Sequence, residues 1–322
     1  MHAIQVARLG GPEVLEWREI DTPVPADGEI LVAMDAAGLN FVETYHRSGI
    51  YAKDLPFVPG GEGAGRVVAL GADVTGFAIG DRVTSVAFQG TYAEYSVVGA
   101  ARAILVPDAV STDQAAGVML QGMTAHYLCH DSYPLAAGDV CLIHAGAGGV
   151  GRLLIQMAKK LGATVISTAS TDTKVGLAAG AGADHVINYT EEDFGEAVER
   201  LVGPKSLNVV FDGVGASTVD TGLTLLRPRG TMVLFGQSSG VVPPFDLGRL
   251  ASLGSLFITR PTLSTHIASR ADLERRAGEV LGSITDGWLD VRIPHRHPLR
   301  EASLAHAELE ARHTTGKVLL IP

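Results

Sequence analysis

The stretch that decides the fold is "CLIHAGAGGVGRLLIQMAKKLGATVIST", Cys141 to Thr168. An apolar run over 140–145 reads as a buried strand and leads into a loop carrying Gly146, Gly148, Gly149 and Gly151. A helix over 152–161 follows, with Leu154, Met157, Ala158 and Leu161 on one face. "ATVIST" (163–168) is the next strand. Glycine between such elements meets two needs. A tight turn requires backbone angles that a side chain forbids, and a diphosphate has to approach the N–H groups at the positive end of the helix. The spacing is tighter than the usual GxGxxG. The strand–loop–helix–strand context is what makes it a dinucleotide site.

The second strand indicates which dinucleotide. An NAD site commonly ends that strand on Asp or Glu, which takes the ribose hydroxyls. Here it runs into "STASTDTK", where Thr168, Ala169, Ser170 and Thr171 supply no carboxylate. Ser170 can hydrogen-bond a phosphate and Lys174 can neutralise one, which favours NADPH with its 2′-phosphate. Asp172 runs against this unless it is the N-cap of the next helix, the reading preferred here.

Beyond this unit strands and helices keep alternating. "HVINY" (185–189), "LNVVFDGVG" (207–215) and "GTMVLFGQ" (230–237) are strands, and "SLGSLFIT" (252–259) is a candidate for the last one. The pattern is that of a parallel sheet with helices on both faces. Residues 1 to about 120 differ. "EILVAMDAAGLN", "EGAGRVVALG", "GDRVTSV", "TYAEYSVV" and "RAILVPD" are short strands broken by glycine and proline, which predicts an all-β, barrel-like body. After Arg260 come a helical stretch, "SRADLERRAGEVLGSITDG", a loop "RIPHRHPL" with His295–His297 solvated, and an apolar strand "KVLLIP". These are too few elements for a third domain, so the tail is expected to return and complete the first. The expected division is a catalytic domain over 1–121 plus 260–322 and an NADP-binding domain over 122–259.

Composition limits the alternatives. No run of about eighteen uncharged apolar residues occurs, so no membrane span is expected. The N-terminus lacks a basic start followed by an apolar core. Two cysteines, Cys129 and Cys141, make no disulfide framework and suit a reducing cytoplasm. A formal charge of −10 argues against a partner bound through a nucleic-acid backbone.

Several motifs in one order resemble the medium-chain dehydrogenase/reductase superfamily, in its zinc-free, zeta-crystallin-like quinone oxidoreductase branch. They are "GLNFVETYHRSGIY" (38–51), "PGGEGAG" (59–65), "GDRV" (80–83), "QGMTAHYL" (121–128), "HAGAGGVG" (144–151), "GADHVINY" (182–189), "VFDGVG" (210–215) and "RPRGTMVLFGQSSG" (227–240). The resemblance implies a doubly wound Rossmann sheet inserted into a GroES-like β-rich catalytic domain, with the cofactor in the cleft between them. It places Asn40 near the nicotinamide ribose and Thr124 beside the nicotinamide. Gly148, Gly149 and Val150 fall on the diphosphate, and Ser170, Lys174 and Tyr189 around the 2′-phosphate. Phe235, Gly236, Ser238 and Ser239 match the loop over the nicotinamide half, and Phe257, Thr259 and Arg312 match outer contacts.

The zinc-dependent relatives place a Cys in the segment matching "AAGLN" and a His just before the glutamate of "GGEGAG". This chain has Leu39 or Asn40, and Gly61, at those places, and two cysteines cannot build a four-cysteine zinc lobe. No metal is expected. Glu62, the one charged side chain of "VPGGEGAG", is read as a brace for the cleft. His126 and His130 of "HYLCH" stand four apart, as a metal pair would, but a packed or surface helix is the better reading.

Without zinc to stabilise an alkoxide, the acceptor has to delocalise its own negative charge, as quinones and α,β-unsaturated carbonyls do. The resemblance therefore implies an NADPH-dependent reductase of quinones or other conjugated carbonyls. The alternatives are an enoyl-thioester reductase and a non-catalytic NADPH-binding protein. Tyr45 and Tyr51 are candidate donors, with Arg47 nearby in sequence, although packing is the commoner role for a tyrosine here; the resemblance favours Tyr51, since a tyrosine near this position lines the family's substrate cleft. Gln121 is a further candidate, as open to a structural role as to a catalytic one. The apolar strand around 255–259 would leave a sheet edge exposed, so a homodimer through that edge is expected.

Overall fold

The computed structural model describes residues Met1–Pro322. The chain divides into two compact units, Met1–Gln121 with Ile267–Pro322, and Gly122–His266.

The first unit opens with the hairpin-like pair β1 (His2–Gln5) and β2 (Glu16–Glu19), followed by β3 (Glu29–Leu39), α1 (Phe41–Ser48), β4 (Gly63–Leu70), β5 (Arg82–Ser85), β6 (Tyr95–Gly99) and β7 (Ile104–Leu105). Helix α2 (Thr112–Tyr127) then carries the chain into the second unit. That unit contains β8 (Val140–Ile143), α3 (Gly149–Lys160), β9 (Thr164–Ala169), α4 (Asp172–Gly180), β10 (His185–Asn188), α5 (Phe194–Val202), β11 (Leu207–Asp212), α6 (Val219–Leu225), β12 (Leu226–Leu234), α7 (Gly248–Ser252), β13 (Phe257–Thr259) and α8 (Leu263–His266). The chain returns to the first unit as α9 (Arg270–Thr285), β14 (His295–Pro298), α10 (Ala302–Glu310) and β15 (Val318–Ile321).

In the second unit six parallel strands lie in the order β10-β9-β8-β11-β12-β13. Strand β8 sits inside the sheet with its successors β9 and β11 on opposite sides, so the order reverses at β8, the position where α/β sheets bind ligands at the strands' C-terminal ends. Leu142, Ile166, Val210, Leu223 and Met232 form the core under α5 and α6. Helix α3 buries Leu153, Leu154, Ile155, Met157 and Ala158.

In the first unit β3 is the organising strand. It pairs antiparallel with β4, β6 and β15, and irregularities between Leu31 and Val32 and between Met34 and Ala36 bend it enough to reach all three. Two apolar clusters flank it, one around Ile30, Val32, Val67, Val83 and Val98, the other around Ile4, Ala37, Leu39, Phe57 and Val318. The register of β15 on β3, with Val318 opposite Leu39, brings Lys317 to Asn40.

Three sequence expectations need correction. The segment from residue 1 to about 120 is not all β, because α1 and the first half of α2 lie in it. The signal for α1 was present, with Asn40 as N-cap, Glu43 three residues on, and Gly49 in the left-handed conformation at φ 82°. His295–His297 is not a solvated loop but part of β14, which gains its hydrogen bonds by pairing parallel with β15. Asp172 is the first residue of α4, and the cap is Thr171, whose side chain accepts the Lys174 N–H. The helical reading of His126 and His130 is refined rather than overturned: α2 ends at Tyr127, a wider helical turn covers Leu128–Ser132, and the two rings stack at 4.1 Å.

Candidate cofactor and acceptor sites

The glycine turn after β8 crosses itself closely. Ala145 adopts φ 57°, the Gly146 N–H reaches Thr168 O at 3.0 Å, and the Gly148 N–H returns to Ala145 O at 2.9 Å. A methyl group on Gly151 would stand 2.3 Å from Ala145 O, and one on Gly146 would stand 2.1 Å from Ser167 Oγ, so neither position admits a side chain. Gly148 begins α3 with no side-chain cap. The first N–H groups of the helix, on Gly149, Val150 and Gly151, have no intrahelical acceptor, and together with the helix dipole they form an anion cradle. Below the turn the buried His144 places Nδ1 3.0 Å from Thr168 Oγ1 and meets Phe194 edge-on, and burial pushes its imidazole below the ordinary histidine range.

Ser170 and Tyr189 follow the paired ends of β9 and β10, and Lys174 lies in the first turn of α4. The strands pair up to Asn188 opposite Ala169, the Tyr189 N–H reaches Ala169 O at 3.1 Å, and Thr171 turns the chain into α4. Tyr189 is 41% exposed and Ser170 and Lys174 are half-buried, so this surface is open. Asp172 turns its Oδ1 to Asn188 Nδ2 at 3.3 Å.

The turns after β11 and β12 interlock. Asp212, fully buried, accepts the N–H groups of Val214 and Gly215 at 2.7 and 3.0 Å and the Thr218 hydroxyl at 2.7 Å. Its carbonyl takes the Phe235 N–H at 2.8 Å, and Ser239 gives both its N–H and its hydroxyl to Val214 O. A methyl group on Gly236 would lie 2.4 Å from Gly213 O, so the loop of Phe235, Gly236, Ser238 and Ser239 is pinned against the Gly213 turn. Thr124 is buried on α2, while Phe257 is 60% exposed on β13 next to half-buried Thr259.

In the catalytic unit Glu62 is at the centre of a buried polar network. Its Oε2 accepts Lys317 Nζ at 2.5 Å and Asn40 Nδ2 at 2.8 Å, and its Oε1 accepts the Leu120 N–H at 2.7 Å. Lys317 also donates to Asn40 Oδ1 at 2.7 Å, which further takes Gln121 Nε2 at 3.3 Å. Three donors on the Glu62 carboxylate leave it a brace between β4, α2 and the start of β15. Gly38 has to lack a side chain for this, since a methyl group there would lie 2.5 Å from Glu62 Oε2. Beside it Gly61 passes close to Val86 O, 3.0 Å from where a Cβ would stand. No three His, Cys, Asp or Glu side chains are grouped as a metal ion would need.

Tyr45 and Tyr51 stand edge to face at 5.2 Å, and Tyr51 is 38% exposed. Arg47 points the other way. It is buried and paired with Glu310 at 2.5 Å, so it is no donor to an acceptor beside the tyrosines.

Comparison with known proteins matches this arrangement. The family model described as "Alcohol dehydrogenase GroES-like domain" matches residues 26–133, and the one described as "Zinc-binding dehydrogenase" matches residues 149–274. The chain is 43% identical to a quinone oxidoreductase of Pseudomonas aeruginosa over 99% of both chains. The chain belongs to the quinone oxidoreductase branch of the medium-chain dehydrogenase/reductase superfamily. It is also 38% identical to a 2-haloacrylate reductase of a Burkholderia species, over 99% of this chain and 98% of that one. An Escherichia coli quinone oxidoreductase solved with NADPH superposes at a TM-score of 0.98, with 41% identity and full coverage of both chains.

In this quinone oxidoreductase family member the structure groups some of the sequence-derived residues and separates others. Gly148, Gly149 and Val150 share the turn into α3, while Ser170 and Tyr189 follow neighbouring strands and Lys174 lies in α4. Asn40 and Gln121 meet, and so do Tyr45 and Tyr51. Arg312 lies exposed after α10 at φ 60°. Glu43, Asp212 and Lys317 were missed as members of these networks. Lys317 opens the apolar run "KVLLIP" and Asp212 closes the apolar run "LNVVFD"; a charge joined to a buried strand was the available signal.

Proposed function

We propose that the protein is an NADPH-dependent reductase of quinones and other conjugated carbonyl compounds. The observation that carries this is the uncapped start of α3 over a glycine turn that admits no Cβ at Gly146 or Gly151, on a sheet whose next strand ends at Ala169 and is followed by Ser170 and, in the first turn of α4, Lys174, with no carboxylate at the strand end. Bound NADPH supplies the hydride. The chain's own part is to hold the diphosphate on the N–H groups of Gly149 and Val150, to pair Lys174 and Ser170 with the 2′-phosphate, and to carry the nicotinamide half on Thr124 and the loop from Phe235 to Ser239, with outer contacts from Phe257, Thr259 and Arg312. Tyr45 and Tyr51 give a planar acceptor an aromatic wall with hydroxyl groups at hand. The Glu62 carboxylate, bound by three donors, is not free to act as a base.

A second acceptor class, conjugated carbon–carbon double bonds, is favoured by the 2-haloacrylate reductase relative, since enolate and hydroquinone anions ask the same of a site. No helix is long and apolar enough to cross a membrane. Two buried free cysteines fit a cytoplasmic setting. A homodimer through β13 would cover the exposed Phe257 and Ile258 at the sheet edge.

The test is NADPH oxidation followed with simple quinones, enones and an enoyl thioester. Turnover with quinones or enones, lost preferentially for NADPH over NADH when Lys174→Ala is introduced, supports the reading. Tight NADPH binding with no turnover on any acceptor would establish the non-catalytic alternative, and turnover restricted to the enoyl thioester would move the assignment to that class.

A further inference from the structure

Asn40 lies where four groups meet, and every hydrogen bond there has a fixed direction. The Lys317 ammonium has only hydrogens to give, so the Asn40 atom 2.7 Å from it is the carbonyl Oδ1. That oxygen takes its second bond from Gln121 Nε2 at 3.3 Å. Asn40 Nδ2 then spends both hydrogens on Glu62 Oε2 at 2.8 Å and Gly38 O at 3.3 Å. A carboxamide has two acceptor and two donor positions, and Asn40 has filled all four within the protein. Glu62 cannot reverse the pattern, since a carboxylate only accepts and its other oxygen is held by the Leu120 N–H. The pair Lys317 and Glu62 is buried, with 1% and 0% of the side chains exposed. Gln121, half-buried on α2, is the end of the chain of bonds. It spends one amide hydrogen on Asn40 and leaves its carbonyl uncommitted.

On the reductase reading above, we propose that Gln121, not Asn40, takes the nicotinamide ribose through its free carbonyl oxygen, and that Lys317 and Glu62 are positioning residues which hold it there through Asn40. The ribose carries the hydroxyl donors that a carbonyl can accept, whereas a quinone brings none. A saturated Asn40 can bind the ribose only by giving up a partner. The buried ion pair stabilises a single amide orientation, and so holds Gln121 in one pose before the ligand arrives.

The test is a cycle on binding rather than on turnover. Glu62→Gln with Lys317→Met removes both charges together, which avoids stranding one buried charge. This pair of changes, Gln121→Ala, and the triple variant are compared with the unaltered protein for NADPH affinity by nicotinamide fluorescence. The same variants are tested for affinity toward 2′,5′-ADP, which lacks the nicotinamide half. The expectation is about a tenfold weaker NADPH affinity in the charge-free variant and in Gln121→Ala, with the triple variant no worse than Gln121→Ala, and 2′,5′-ADP affinity unchanged throughout. Losses that multiply in the triple variant would overturn the proposal, as would a charge-free variant that binds NADPH normally or loses 2′,5′-ADP affinity equally. If the charge-free variant does not fold, Lys317→Arg takes its place in the cycle. It keeps a cation on Glu62 while its planar head changes the geometry at Asn40. An unaltered protein that binds no NADPH would overturn the reductase reading and this inference together, whereas normal binding with independent losses removes the inference alone.

Discussion

The Asn40 N–H donates to Glu43 Oε2 at 2.7 Å, and Glu43 is almost wholly buried at the start of α1. Burial pushes its carboxyl up to about 7, against the pull of Lys317 and of the Asn40 N–H. The folded state therefore binds this proton more tightly than the unfolded chain. The group's contribution to stability is full below about 4.5, falls as pH rises, and levels off above about 7. Glu43→Gln keeps an acceptor for Asn40 and removes the titration. It should stabilise the protein at pH 8 by about 3 kcal/mol relative to its effect at pH 4, an upper figure for a shift of this size. Urea denaturation of both proteins across that range checks it, and parallel curves would count against it.

His306 should act with the opposite sign. Its Nε2 lies 3.0 Å from the Tyr92 hydroxyl, and burial, with the Arg47 charge nearby, pushes its imidazole down to about 3. Stability from this residue is present above about 6.5 and is lost as pH falls from there toward about 3. Replacing it with glutamine, which can still meet the tyrosine, should flatten the acid side of the curve. The Glu43 and His306 trends oppose each other in the unaltered protein between about 4.5 and 6.5. The difference between each variant and the parent, not the parent curve, is therefore the informative measurement.

The two cysteines should be silent in the native protein. Both are buried; burial pushes the Cys129 thiol well up and the Cys141 thiol up to about 12. Reaction requires the thiolate and access to it. A disulfide reagent such as Ellman's should titrate no thiol before denaturation and two after it. A fast native reaction would show that one of these helices or strands opens readily.

Glycines separate by what surrounds them. Gly151→Ala places a methyl group 2.3 Å from Ala145 O, so the diphosphate turn has to open. NADPH affinity should fall by at least tenfold, with a lower melting temperature. Gly278→Ala, inside α9 with nothing within 4 Å, should instead stabilise the protein by about 0.5–1 kcal/mol with binding unchanged. Calorimetry and NADPH titration on both variants test the contrast.

The β13 edge gives the prediction about assembly. Phe257 and Ile258 are 60% and 37% exposed on the last strand of the sheet. Light scattering at micromolar concentration should give a dimer mass, and Phe257→Glu should shift it to a monomer. A monomer from the unaltered protein would remove the proposed pairing.

The parallel sheet was legible because its evidence is local. A glycine turn between an apolar strand and an amphipathic helix is readable within 28 residues, Cys141 to Thr168, and the missing carboxylate after Ala169 is a statement about four neighbouring positions. Helix α1 was local too, marked by an Asn cap and a Gly stop. Strand β14 was not legible at all. "HRHP" has no strand signature of its own and becomes a strand only because β15 lies alongside it.

The sequence by itself determined that a glycine turn joins an apolar strand to an amphipathic helix, that a glycine and not a histidine precedes Glu62, and that Glu62 is the lone charge of its stretch. Only the tertiary structure decided what Glu62 does. Its partners come from Asn40, Leu120 and Lys317, and the last of these is 255 residues away along the chain. A buried carboxylate is tolerable only with its charge matched and its lone pairs filled, and which residues do so is fixed by strand register rather than by neighbourhood in sequence. β15 pairing with β3 brings the ammonium to the carboxylate. The same register fills every hydrogen-bonding position of Asn40, a constraint that no reading of "GLN" could have revealed.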